Sequence, residues 1–135
     1  MATERQRLER AAEHYLLICY RKRTAARVSE FAAVLRITQP YLSGIVRDVF
    51  GIPAREFLRR RQLGYATGLL RSTQATVAEI AVLSAFGTES TFSRCFARAF
   101  GTTPGRYRHL MKCGSTDTPP PSRAALHPER RLEFD

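Results

Sequence analysis

No apolar run in the chain is long enough to cross a bilayer. The longest, near AAEHYLLICY, is too short and too polar. The N-terminal stretch MATERQRLERAAEH lacks the hydrophobic core and small-residue cleavage site of a secretory signal. Glu4, Glu9 and Glu13 argue against an organelle transit peptide. Cytoplasmic residence is therefore the expectation. Cysteine is equally scarce: Cys19, Cys95 and Cys113 are too widely spaced for a disulfide framework or a metal pair, and His14, His109 and His127 are isolated. Reduced structural thiols are expected, with no metal and no cofactor. No nucleophile–base pair, paired-carboxylate site or phosphate loop is visible, which makes an enzyme the least expected class.

Acid is also in short supply. Against 22 Lys+Arg stand 12 Asp+Glu, a net charge of +10, and 20 of the basic residues are Arg. The segment after Lys112 holds three Arg and four acids, so residues 1–112 carry +11. A field of that sign attracts polyanions and speeds their association. Arg rather than Lys favours phosphate and base-edge recognition, because the guanidinium fork donates two parallel hydrogen bonds. A plain solubility surface is the alternative reading of the charge. At 135 residues, with 44% hydrophobic and 25% charged, the chain makes one domain or two very small subdomains packed together.

Apolar spacing of three and four predicts an all-α fold. Over 4–20, Leu8, Ala11, Ala12, Tyr15, Leu16 and Cys19 share one face. A short helix at 28–35 turns Val28, Phe31, Ala32 and Leu35 inward. Thr38 caps the next, Pro40 is tolerated in its first turn, Leu42, Ile45, Val46 and Val49 face the core, and Gly51 stops it. Pro53 opens a longer helix with Phe57, Leu58, Ala66, Leu69 and Leu70 inward. Gly64 and Gly68 within it suggest close approach of a neighbouring helix. Thr76 and Glu79 form a capping box ahead of Ile80, Ala81 and Leu83. Thr88 caps a helix with Phe92, Cys95, Phe96 and Ala99 or Phe100 inward, and Gly101 ends it. A last helix covers 103–112, and residues 113–135, rich in Pro, Ser and Thr, read as a disordered tail.

The chain repeats itself. TQPYLSGIVRDVFGIP at 38–53 and TESTFSRCFARAFGTTP at 88–104 share Thr38/Thr88, Ser43/Ser93, Phe50/Phe100 and Gly51/Gly101 at an offset of 50. The preceding VSEFA at 28 and VAEIA at 77 match at an offset of 49. Each copy is a short helix, a tight turn and a Thr-capped second helix, with a small residue (Ala32, Ala81) where the two helices cross. Such a helix-turn-helix can lay its second helix in a DNA major groove. The connecting helix, about 18 residues at 1.5 Å each, is roughly 27 Å long. That length is compatible with two second helices in successive major grooves, about 34 Å apart. A helical-repeat scaffold is the alternative, although two units are few for a solenoid.

Residues from about Val28 to Arg108 resemble the DNA-binding domain of the AraC/XylS family of bacterial transcription regulators. IAVLSAFGTESTFSRCFARAFGTTPGRYR carries the likeness, matching the family's I-A, G-F, S-x-F-S-R-x-F and F-G-x-T-P-x-x-Y-R in order. The resemblance covers about 80 of the 135 residues. It implies about seven helices, the one at 4–20 first, in two helix-turn-helix subdomains: about 28–49 and 77–100, joined by a linker helix at about 53–71, with the whole DNA-binding unit within 1–112. It also implies double-stranded DNA as partner and contact with RNA polymerase as a means of regulation. Either a short stand-alone member acting as a monomer or a fragment of a larger dimeric regulator fits. The chain departs from the family pattern at Ala85, usually Gly, at Gly44, usually basic, at Val46, usually Phe, and at Gln62, usually Arg. The first unit is the weaker match.

In the second unit, Glu89, Ser90, Ser93 and Arg94 form the outward N-terminal face of the helix. Arg94 is the first candidate for a bidentate contact to guanine. Glu89 accepts from a cytosine amino group or favours the helix N-terminus; Ser93 reaches a base or a phosphate. In the first unit, Gln39 is suited to adenine and Ser43 stands beside it, Tyr41 packs or contacts phosphate, and Gly44 offers nothing that reads. The phosphate candidates are Arg47, Arg59, Arg60, Arg98, Arg106 and Arg108. Phe31, Phe57, Phe86, Phe92, Phe96, Phe100 and Tyr107 are expected in the core rather than as stacking platforms. A non-specific architectural DNA binder and a protein-interaction module with a degenerate first unit remain the competing functions.

Overall fold

Thr3 opens the first helix of the computed structural model, which describes residues 3–112; the expected tail at 113–135 lies outside the described residues. Its hydroxyl accepts from the Gln6 amide while the Gln6 side chain accepts from the Thr3 amide, a capping box that the sequence reading passed over. The order is α1 (Glu4–Lys22), α2 (Val28–Val34), α3 (Gln39–Phe50), α4 (Ala54–Ser72), α5 (Val77–Leu83), α6 (Glu89–Phe100) and α7 (Pro104–Lys112), with no strand among the described residues. Thr38, Thr76 and Thr88 cap α3, α5 and α6. Gly51 and Gly101 end α3 and α6 at φ 74° and 75°, values that a Cβ disfavours.

Two cores share α4 as a wall. The first gathers Leu8, Ala12, Tyr15, Leu16 and Cys19 of α1, Phe31 and Ala32 of α2, Leu42 and Val46 of α3, and Ala54, Phe57 and Leu58 of α4. The second gathers Leu63, Ala66 and Leu70 of α4 with Ile80, Ala81, Phe86, Phe92, Phe96, Ala99, Phe100 and Tyr107. All seven aromatics expected in the core are buried. On α6 the rings at 92, 96 and 100 form a ladder, with centroids 5.7 and 4.4 Å apart, and Tyr107 closes it at 5.3 Å from Phe96. Such pairs contribute about 0.5–1.5 kcal/mol each beyond area burial. The matching face of α3, Leu42, Val46 and Phe50, has one ring where α6 has three.

The two turns are built alike. In the first unit, Arg36 (φ 61°) donates its amide to Ala33 O and Ile37 donates to Ala32 O. In the second, Ala85 (φ 66°) donates to Val82 O and Phe86 to Ala81 O. The change of repeat offset from 49 to 50 is Gly87 (φ 90°), an extra residue whose Cβ would come within 3.3 Å of the Ala25 Cβ. The second turn docks there on the first unit. Ala26 donates its amide to Ala85 O at 2.9 Å, and the Ala85 methyl is buried in the first core. Gln62, 3% exposed, reinforces the junction by donating from Nε2 to Ser84 O (3.1 Å) and Ala85 O (2.9 Å). The two departures from the family pattern at 62 and 85 thus meet in one contact. The close helix approach expected at Gly68 is not found: a Cβ there meets nothing within 4 Å.

Candidate nucleic-acid interface

α3 and α6 each turn polar residues of their N-terminal halves to solvent, while Leu42 and Phe92 in the same halves are buried in the cores. On α6, Glu89, Ser90 and Arg94 are exposed and Ser93 is half-buried. Arg94 lies along its own helix, Nε 3.4 Å from Ser90 O, with no carboxylate in contact among the described residues. On α3, Gln39, Pro40, Gly44 and Arg47 are exposed and Ser43 is half-buried. Tyr41 is 60% exposed, so it does not pack.

Between the helices runs a cleft of about 510 Å³, walled by Gln39 and Ser43 of α3, Arg55, Arg59 and Gln62 of α4, and Thr91 of α6. A smaller hollow of about 190 Å³ adjoins it, lined by Arg55, Arg59, Thr91, Arg94, Cys95 and Arg98. Neither contains a carboxylate. The fold therefore brings Gln39 and Ser43 to one rim with Arg59, and Arg94 and Arg98 to the other. Glu89, Ser90, Ser93, Arg47 and Arg106 stand outside both hollows. Arg55 and Thr91 are additions that the sequence reading missed. The signal for Arg55 was present, because 55 and 59 are one helical turn apart and fall on one face. Cys95, expected inward, is half-buried at the hollow's wall.

Two expected phosphate contacts are otherwise engaged. Arg60 is 8% exposed and paired through Nε to Glu56 Oε2 at 3.2 Å, on the side of α4 that packs inward. Arg108 donates from Nε to Leu70 O (3.1 Å) and from Nη2 to Thr73 O (3.2 Å), capping the C-terminal end of α4. Arg108 is half-buried, and two of its five donors are committed to these carbonyls at the helix end. Arg106 stays exposed, and its backbone amide binds Thr103 Oγ1.

The model for a helix-turn-helix domain family matches residues 31–109. The chain is 38% identical over 71 residues to the regulatory protein SoxS of Salmonella typhimurium, a stretch that is 53% of this chain and 66% of SoxS. It is 27% identical over 85 residues to the probable transcriptional regulator LumQ of Photobacterium leiognathi, covering 63% of this chain and 34% of LumQ. The chain thus spans about a third of the one relative and just under two thirds of the other. The fold is that of the DNA-binding domain of the global transcriptional factor AdpA, solved in complex with a target DNA: TM-score 0.70 at 19% identity, over 82% of this chain and 96% of that one. No helix among the described residues is long and apolar enough to cross a membrane.

Proposed function

The chain belongs to the AraC/XylS-type helix-turn-helix family, and on that premise we propose that it is a sequence-specific, double-stranded DNA-binding transcription regulator whose second unit does most of the base reading. The observation that carries this is the pairing of two outward helix faces, α3 and α6, across an arginine-lined cleft without carboxylates. Within the proposed DNA-binding unit, residues 1–112, Arg94 supplies the strongest base contact. Glu89, Ser90 and Ser93 supply weaker ones. α3 docks through Gln39, Ser43 and its backbone, with Gly44 leaving a gap where α6 has Arg94. Arg47, Arg98 and Arg106 hold the phosphates, which position without specifying. The protein acts by binding alone, in the cytoplasm, as a monomer on DNA that can present a surface to RNA polymerase.

The test is selection of bound sequences from a random duplex pool, followed by affinity measurement on the winner. A specific site should outcompete random duplex by about a thousandfold or more. Arg94→Ala should lose about 1–3 kcal/mol, roughly 5- to 150-fold, on that site and relax preference at one base pair. A flat selection would point instead to an architectural binder, and unchanged binding by Arg94→Ala would remove the assignment of base reading.

A further inference from the structure

Arg55 and Arg59 belong to neither α3 nor α6, yet they line both the cleft between those helices and the smaller hollow between α4 and α6. Arg55 is exposed and Arg59 half-buried, and neither makes an ion pair among the described residues. Around them the only charged side chains in the two linings are more arginines: Arg27 on the α3 side, Arg94 and Arg98 on the α6 side. Like charges gathered in a concave surface repel one another and focus a positive field. Nothing in the packing of the two cores requires this arrangement, since neither Arg55 nor Arg59 is part of them. A polyanion seated over α4 turns that repulsion into attraction.

The position of the pair says which part of the polyanion. This step rests on the double-groove reading proposed above. When α3 and α6 occupy successive major grooves on one face of a duplex, the stretch of DNA opposite α4 is the intervening minor groove. The phosphate strands bordering that groove then fall toward Arg27 in the cleft and Arg98 in the adjoining hollow. We propose that Arg55 and Arg59 enter the minor groove between the two helix sites and make binding depend on the width of that groove. The ligand feature is a narrow, A·T-rich minor groove, whose negative potential draws guanidinium groups inward. Guanine opposes this through its amino group, the one minor-groove feature that separates G·C from A·T. The protein would thereby select base pairs that neither α3 nor α6 touches.

The experiment keeps the selected α3 and α6 sites fixed and changes only the central base pairs, from A·T to G·C to inosine·cytosine. Inosine presents the major-groove edge of guanine without its minor-groove amino group. Fluorescence anisotropy on the full chain should show the A·T and inosine centres bound about tenfold tighter than the G·C centre. The Arg55→Ala/Arg59→Ala double variant, with an unchanged circular-dichroism spectrum, should bind all three centres alike and still prefer selected over scrambled outer sites. Equal binding of the three centres by the parent overturns the proposal. So does a double variant that binds more weakly but keeps the parent's ratio, because the two arginines are then phosphate contacts. If the parent fails to separate selected from scrambled outer sites, the double-groove reading itself has failed, a result distinct from indifference to the centre alone.

Discussion

Gly44 and Arg94 occupy equivalent places on α3 and α6, and a Cβ built at Gly44 meets nothing within 4 Å. The missing side chain is therefore not excluded by packing. A helix-interior glycine costs about 0.8–1.0 kcal/mol against alanine, and arginine is nearly as good a helix former as alanine. Gly44→Arg should accordingly raise stability by about 0.7 kcal/mol, which for a domain of this size is about 3–5 °C in Tm. In a repeat of the selection, the same variant should show new base preference at the α3 half-site. A higher Tm without new preference would mean that α3 does not sit close enough to bases to read. Gln62 presents the opposite case, a polar side chain with no freedom. Its two bonds to Ser84 O and Ala85 O join α4 to the second turn. Gln62→Leu keeps the volume and takes the side-chain donor from Ser84 O, while Ala85 O retains the Ala26 amide, so thermal unfolding should register a loss of about 1–3 kcal/mol.

At the scale of elements, α2 begins at Arg27 with no side-chain cap of its own. Tyr15 of α1 serves in its place: its hydroxyl accepts from the Arg27 amide at 2.9 Å and donates to Glu30 Oε1 at 2.7 Å. Burial is the main cause that pushes this phenol's pKa above the ordinary tyrosine value, with the nearby Glu30 carboxylate adding to it. The folded state therefore holds the proton more tightly than the unfolded chain. The resulting stabilisation is complete below the ordinary value, about 10, and is lost as pH rises past it toward the folded value. Melting curves between pH 8 and 11 should show Tm falling above about pH 10, and Tyr15→Phe should start lower and fall less steeply. Helix bounds were legible because periodicity and caps are local: Thr38, Thr76, Thr88, Gly51 and Gly101 each sit where their side chains or φ angles require. The Tyr15 bridge and the Gln62 junction were not, because each joins residues 12 or more apart whose meeting depends on how helices cross. The candidate site divided along the same line. Outward positions on α3 and α6 follow from helical phase, whereas the cleft and Arg55's place in it arise only when α4 is set between the two units.

For the whole molecule, the excess of arginine acquires internal structure. A net charge of +10 suggests a uniform cationic surface, but the fold sorts its arginines by task. Arg60 is tied to Glu56 and Arg108 to the last carbonyls of α4, while Arg98 and Arg106 have no such partner among the described residues. Counterion release separates the two groups without any knowledge of the target sequence. Each phosphate neutralised adds about 0.9 to the slope of log K against log salt. Arg98→Ala and Arg106→Ala should each flatten that slope by about 0.9 with little change in Tm. Arg108→Ala should leave the slope unchanged and lower stability by about 1–2 kcal/mol, because half-buried carbonyls at the end of α4 lose a charged donor. Arg60→Ala should behave in the same way, through lost packing on α4. Filter-binding titrations from low to physiological salt, run beside thermal melts of the same variants, check both halves. A slope change in Arg60→Ala or Arg108→Ala would mean that DNA pulls these side chains from the partners they hold here.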